Sequence, residues 1–107
     1  MVHLTVLIFG ARSAEQVKKG VKTVTFRKWP RARVEVGEVC DAARMGYPPV
    51  KFCKIKVTGV RRLKLGEIDP KLARRDGAGS VEEAKAYWSK QGFRSTDQLW
   101  LVEFELV

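Results

Sequence analysis

Apolar and polar positions alternate with a period of two through most of four stretches of the chain, at 3–9, 23–28, 50–60 and 98–106, and 39–43 is a further strand-like stretch. Successive side chains of a strand point to opposite faces, so each stretch predicts a strand. In 50–60, Cys53, Ile55 and Val57 fall on one face, with Lys54, Lys56 and Thr58 on the other. In 98–106, Trp100, Val102, Phe104 and Leu106 point inward. Short helices interrupt the strands. Ser13 to Gln16 has the form of a capping box, which predicts a helix over about 14–19 that stops at Gly20. Asp69-Pro70 reads as an N-cap with proline at the first helical position, for a helix that ends before Gly77. Ser80 to Glu83 is a second capping box, and the helix it opens carries Val81, Ala84 and Trp88 at helical spacing as far as Gly92. Pro30 ends the second strand, Gly37 makes a turn, and Gly46-Tyr47-Pro48-Pro49 forms a stiff loop. This order predicts an α+β fold, a single domain over 1–107 built on a small, curled, mixed sheet with two to three short helices.

The run Gly20-Val21-Lys22-Thr23-Val24-Thr25-Phe26-Arg27 carries the most chemistry. Alternation sends Val24 and Phe26 into a core and leaves Thr23, Thr25 and Arg27 together on the other face. Lys22, at the junction of turn and strand, can swing over that face. A hydroxyl flanked by two fixed cations suits an anionic ligand such as a nucleotide phosphate, and it can also assist attack on an amide. The plainer alternative is a half-exposed edge strand, with threonines for β-propensity and arginine for solubility.

Charge extends the picture. The net charge is +9, and 18–33 holds seven basic residues with no acidic one. The segment 51–64 holds six more, again without an acid, and Lys71, Arg74 and Arg75 follow. Acidic residues gather elsewhere, at 35–41, at Glu82-Glu83, and at Glu103 and Glu105. Such segregation makes a basic face, the electrostatic footprint of a polyanion binder. Lys28, Arg31, Lys54 and Lys56 are therefore candidate phosphate contacts beside Lys22, Thr23 and Arg27. Trp29 and Tyr47, in loops beside cations or prolines, are candidates to stack on a base. Two cysteines, Cys40 and Cys53, and the lone histidine, His3, lack the spacing of a zinc site. The cysteines read as small core residues, and neither a metal nor a cofactor is expected. No apolar run approaches the roughly 18 residues that span a bilayer, which excludes a membrane helix. Residues 4–9 are too short for a signal-peptide core and lack a basic leader, so a cytoplasmic location is expected.

The spacing Gly20-x-Lys22-x-x-Thr25-x-Arg27, together with the length and element order, resembles the ASCH family, small domains related to the PUA RNA-binding fold. That resemblance implies a PUA-like pseudobarrel and an RNA or nucleotide ligand. It also brings an enzymatic alternative, because some small proteins with this motif are amidohydrolases that remove the acetyl group from N-acetylcytidine. In them the motif lysine and threonine act as base and nucleophile and a downstream glutamate completes the site. The matching positions here are Lys22 and Thr25. Asp76 stands where the glutamate is expected, with a carboxylate about 1 Å short, a displacement that can cost roughly 100-fold in rate. Asp76 also has an ordinary reading as a turn residue pairing with Arg74 or Arg75. Other members are proposed ribonucleases, for which no distinct residue set stands out. The expectation is RNA or nucleotide binding through a basic cleft, with amide hydrolysis of a modified nucleoside as the alternative. A purely structural or protein-binding role ranks last, because nearly every large apolar residue is assigned to a core face.

Overall fold

The computed structural model describes residues 4–107. Five strands and three α-helices follow in the order β1 (Val6–Phe9), α1 (Ala11–Lys18), β2 (Val24–Arg27), β3 (Val39–Arg44), β4 (Val50–Lys64), α2 (Pro70–Arg75), α3 (Val81–Ser89) and β5 (Gln98–Leu106). A single 3-10 turn, Leu65–Glu67, follows β4. The strands form one mixed sheet in the order β1-β3-β4-β5-β2, parallel between β1 and β3 and antiparallel elsewhere. The sheet curls into a half-barrel, the α+β architecture that the alternation predicts.

Two apolar clusters sit on the two faces of this sheet. One gathers Leu7, Phe9, Ala14, Val17, Ile55, Val57, Val102 and Phe104 beneath α1. The other gathers Val24, Phe26, Leu63, Leu72, Ala84, Trp88, Leu99 and Leu101 beneath α2 and α3. Covering both faces changes the pattern expected for β5. Val102 and Phe104 do turn inward, but so do Leu99 and Leu101 on the opposite face, while Leu106 is 45% exposed and Trp100 only half-buried. Alternation identifies a single buried face, and a strand buried on both has no polar side to mark it. In β4 a bulge between Val57 and Gly59 shifts the register, after which pairing with β5 continues to Lys64. The bulge breaks the period of two, which is why the sequence pattern stops at Val60.

Helix boundaries follow local chemistry. Asp69 accepts from Leu72 N at 2.8 Å and Ser80 from Glu83 N at 3.1 Å, so both expected N-caps are in place. Ser13 is different. α1 starts directly after β1, with Gly10 at its N-cap and Ala14 N bonded to Gly10 O at 2.8 Å. Ser13 is therefore inside the first turn and caps nothing, and the Gln16 side chain is directed elsewhere. The first strand spans Val6–Phe9, and His3 lies outside the described residues. Cys40 is fully buried and Cys53 partly so, and both are free thiols. Burial pushes the Cys40 thiol up to about 11, helped by Glu38, so it is no nucleophile near neutrality.

Candidate functional site

β1 and β2 are the two edges of the half-barrel, and the seam between them opens into a cleft of about 870 Å³. Ile8 and Phe9 line it from β1 and Gly10 from the cap of α1, while Thr25 to Arg27 line it from β2 and Lys28 and Trp29 from the segment that follows. α1 contributes Arg12, Ser13 and Gln16, the turn after α2 contributes Asp76 and Gly77, and α3 contributes Tyr87. Six cations line the cleft (Arg12, Lys22, Arg27, Lys28, Arg33 and Lys90) against two carboxylates, Asp76 and Glu83.

Local structure delivers Lys22 to its floor. Gly20 adopts φ 74°, left-handed, and the reversal lets the Gln16 carbonyl accept from both Val21 N (2.9 Å) and Lys22 N (3.1 Å). Lys22 is then only 5% exposed, and its Nζ donates to Asp76 Oδ1 (2.5 Å) and to the Asp76 carbonyl (2.9 Å). The aspartate, although one methylene shorter than a glutamate, does reach the lysine, because the turn that carries it is held against α1. Gln16 Nε2 donates to Gly77 O at 2.8 Å, and Gly77 has φ 82°. A Cβ at Gly77 would collide with the Gln16 side-chain amide, so any other residue there would strain the left-handed backbone and displace the side chain that holds the turn. Asp76 thus pairs with Lys22, and not with Arg74 or Arg75.

Burial draws the Lys22 ammonium below its ordinary pKa, Asp76 opposes that shift, and the nearby Arg27 adds to it. Burial likewise raises the Asp76 carboxyl against the pull of Lys22 and then Arg27. Arg27 crosses the seam. Its guanidinium lies 4.9 Å from the Phe9 ring centroid and its Nε donates to Thr25 Oγ1 at 3.3 Å. No carboxylate among the described residues forms an ion pair with it. Desolvation lowers its pKa, but a guanidinium remains protonated. Thr25, 5% exposed, forms part of the cleft wall between Lys22 and Arg27 in the chain.

Other sequence candidates fall in different places. Thr23 precedes β2 and does not line the cleft, because Arg75 holds it through Nε–Oγ1 at 3.0 Å while also lying 3.6 Å from Glu103. Lys28 and Trp29 do line it, and Trp29 packs on the first core cluster. Arg31 is exposed outside the lining. Lys54 and Lys56 are exposed on β4 away from the cleft. Lys54 bonds Asp41 at 2.9 Å, with Lys51 at 3.3 Å, and the Lys54 contact leads in holding the Asp41 carboxyl below its usual range. Tyr47 is fully exposed, and only its neighbour Met45 reaches the cleft. Sequence reading missed Gln16, Arg33 and Tyr87 as cleft residues. The one local hint was a tyrosine beside the inward Trp88, but nothing in the chain ties Tyr87 to Arg27, which is 60 positions away.

Among the described residues no helix is long and apolar enough to cross a membrane, and no three of His, Cys, Asp or Glu group together as metal ligands would. Fold and cleft together define an α+β half-barrel with a cation-lined cleft at its seam. No family model matches the sequence, and no curated protein does. Solved structures do. A DUF984-family protein from Enterococcus faecalis superposes on 100% of this chain and 78% of its own, with a TM-score of 0.77 at 17% identity. An ASCH domain from Lactobacillus crispatus covers 95% and 78%, with a TM-score of 0.72 at 17% identity. An ASCH protein from Zymomonas mobilis, in a mutant form, covers 94% and 67%, with a TM-score of 0.67 at 14% identity. The chain has the fold of ASCH-domain proteins.

Proposed function

We propose that the protein binds RNA through the seam cleft. The observation that carries this reading is Arg27, a half-buried guanidinium that no carboxylate of the described residues meets at ion-pair distance, held in place by Phe9 and Thr25 within a lining rich in cations. Burying a charge without a partner is costly, so such a group belongs where a ligand supplies the anion. A phosphate or a base carbonyl meets that need, and Arg12, Lys28, Arg33 and Lys90 supply further contacts to a polyanion. Titration of RNA at increasing salt tests the reading. Log affinity should fall by roughly 0.7 to 0.9 per phosphate contacted for each unit of log salt. Replacing Lys28 and Arg33 by glutamine should flatten that slope by one to two such steps. The same change at Lys54 and Lys56, outside the cleft, should flatten it less. Absence of binding to any RNA at low salt would defeat the proposal.

A second reading is favoured by one specific observation, the contact between Lys22 and Asp76 in the cleft that Thr25 also lines. Burial lowers the pKa of Lys22, which eases the loss of its proton and so its use as a base toward a hydroxyl. Thr25 would then attack the acetyl carbonyl, with Arg27 facing the oxyanion and Asp76 holding the lysine in place. Collapse breaks the C–N bond, the leaving amine takes the proton from Lys22, and water releases the acetyl group from Thr25 as acetate. This is the chemistry of deacetylating N-acetylcytidine. On this reading Thr25→Ala abolishes turnover of acetylated cytidine and leaves affinity largely intact. Mass spectrometry of products from the nucleoside and from acetylated RNA would show it. Full activity in Thr25→Ala would rule out the threonine as nucleophile.

A further inference from the structure

We propose that the cleft takes one unpaired nucleobase and stacks it on Tyr87 of α3. This rests on the RNA reading and names the form in which the ligand must be presented.

The first argument is depth. Lys22 and Thr25 are each only 5% exposed, yet both line the cleft. A base inside a duplex is walled in by its partner, its stacked neighbours and its own backbone, so it cannot carry its polar edge to groups at that depth. Only a base that is already unpaired, or one turned out of the stack, can enter. At about 870 Å³ the cleft lies in the range of small-ligand sites, which suits a nucleotide and not a helix.

The second argument is the ring itself. On the inward side of α3, Ala84 and Trp88 are buried in the second core cluster. Tyr87 belongs to neither cluster, is 62% exposed, and lines the cleft. It meets Trp88 at 5.1 Å with the two ring planes at 89°, and Trp88 is in turn held edge-on by Phe93 at 5.3 Å. A perpendicular contact with one neighbour leaves a face of the tyrosine ring uncovered, while the buried indole restrains its position. Arg27 lines the same cleft, which sets ring and guanidinium within reach of one ligand. A planar heteroaromatic ring with polar edges answers both: its face to Tyr87 and its edge to the arginine fork.

Fluorescence anisotropy with three RNAs tests this: a single strand, the same sequence as a blunt duplex, and that duplex with one bulged nucleotide. Cytidine monophosphate, followed by calorimetry, separates a free nucleotide from one in a strand. The single strand and the bulged duplex should bind alike and the blunt duplex much more weakly. Tyr87→Ala should weaken single-strand binding by about tenfold to a hundredfold, and Tyr87→Phe should bind like the native protein. Tyr87 is exposed, so both variants should melt as the native protein does. Tyr87-dependent binding of cytidine monophosphate without any RNA binding would support the stacking site and overturn the RNA reading. A blunt duplex that binds as well as the single strand, or a Tyr87→Ala protein with native affinity, would overturn the stacking site and leave the RNA reading intact. No binding of any of these probes would overturn both.

Discussion

Arg27→Ala is expected to weaken RNA binding by about tenfold to a hundredfold. Hydrogen bonds to a charged group contribute about 1.5–3 kcal/mol when the site is desolvated, and each 1.4 kcal/mol is tenfold in affinity. Arg27 is placed to realise that range, since Phe9 covers one side of its guanidinium and Thr25 orients its Nε. Fold stability should fall far less, because the contact with Phe9 contributes only about 0.5–2 kcal/mol. Arg27→Lys should recover only part of the affinity, as it keeps the charge and loses the planar fork. Anisotropy titration at fixed salt, with a thermal melt of each variant, separates the two effects. Native affinity in a folded Arg27→Ala protein would remove the cleft from RNA binding.

Lys22→Met is expected to have the largest effect on stability. It leaves the Asp76 carboxyl in its buried setting without the ammonium that meets it in the native protein. Breaking a buried pair from one side costs about 3–5 kcal/mol, and because the Asp76 side chain keeps 19% of its exposure, the loss should lie near or below the low end of that range. Asp76→Leu combined with Lys22→Met should recover most of the loss, because removing both charges leaves no orphan. The pH dependence has a definite sign. Burial raises the folded pKa of Asp76, and removing Lys22 takes away the leading force that lowers it. The folded variant therefore holds a proton that the unfolded chain releases. Its stability is highest below the unfolded carboxylate pKa and declines as pH rises through the folded one. Denaturant melts of Lys22→Met at acidic and neutral pH would show this trend. Equal stability at both would mean that the carboxyl is not desolvated as described.

Much of this molecule was legible in short windows of sequence. Asp69-Pro70 and Ser80 open helices because an N-cap is satisfied by an amide two or three residues on. Gly20 ends α1 because a left-handed residue costs glycine nothing. Val24 and Phe26 turn to the core because a strand alternates faces. Each of these depends on sterics and hydrogen bonds within one turn or one strand, so a local reading suffices.

What the chain alone could not disclose is what folding brings together from far apart. Ser13 reads as a cap, yet its helix starts earlier because β1 feeds straight into it. Thr23 shares the parity of Thr25, yet Arg75, 52 positions on, draws it out of the cleft. Lys22 meets Asp76 across 54 positions, and Gln16 locks Gly77 across 61. Tyr87 joins Arg27 on one cleft because the sheet curls until its two edges face a common seam. Residue types and spacing determined the strands, the helix starts, the basic character and the Gly20–Arg27 motif. Tertiary structure alone decided which of those cations lose their water and which keep a counter-ion, because desolvation depends on what the rest of the chain packs around a charge.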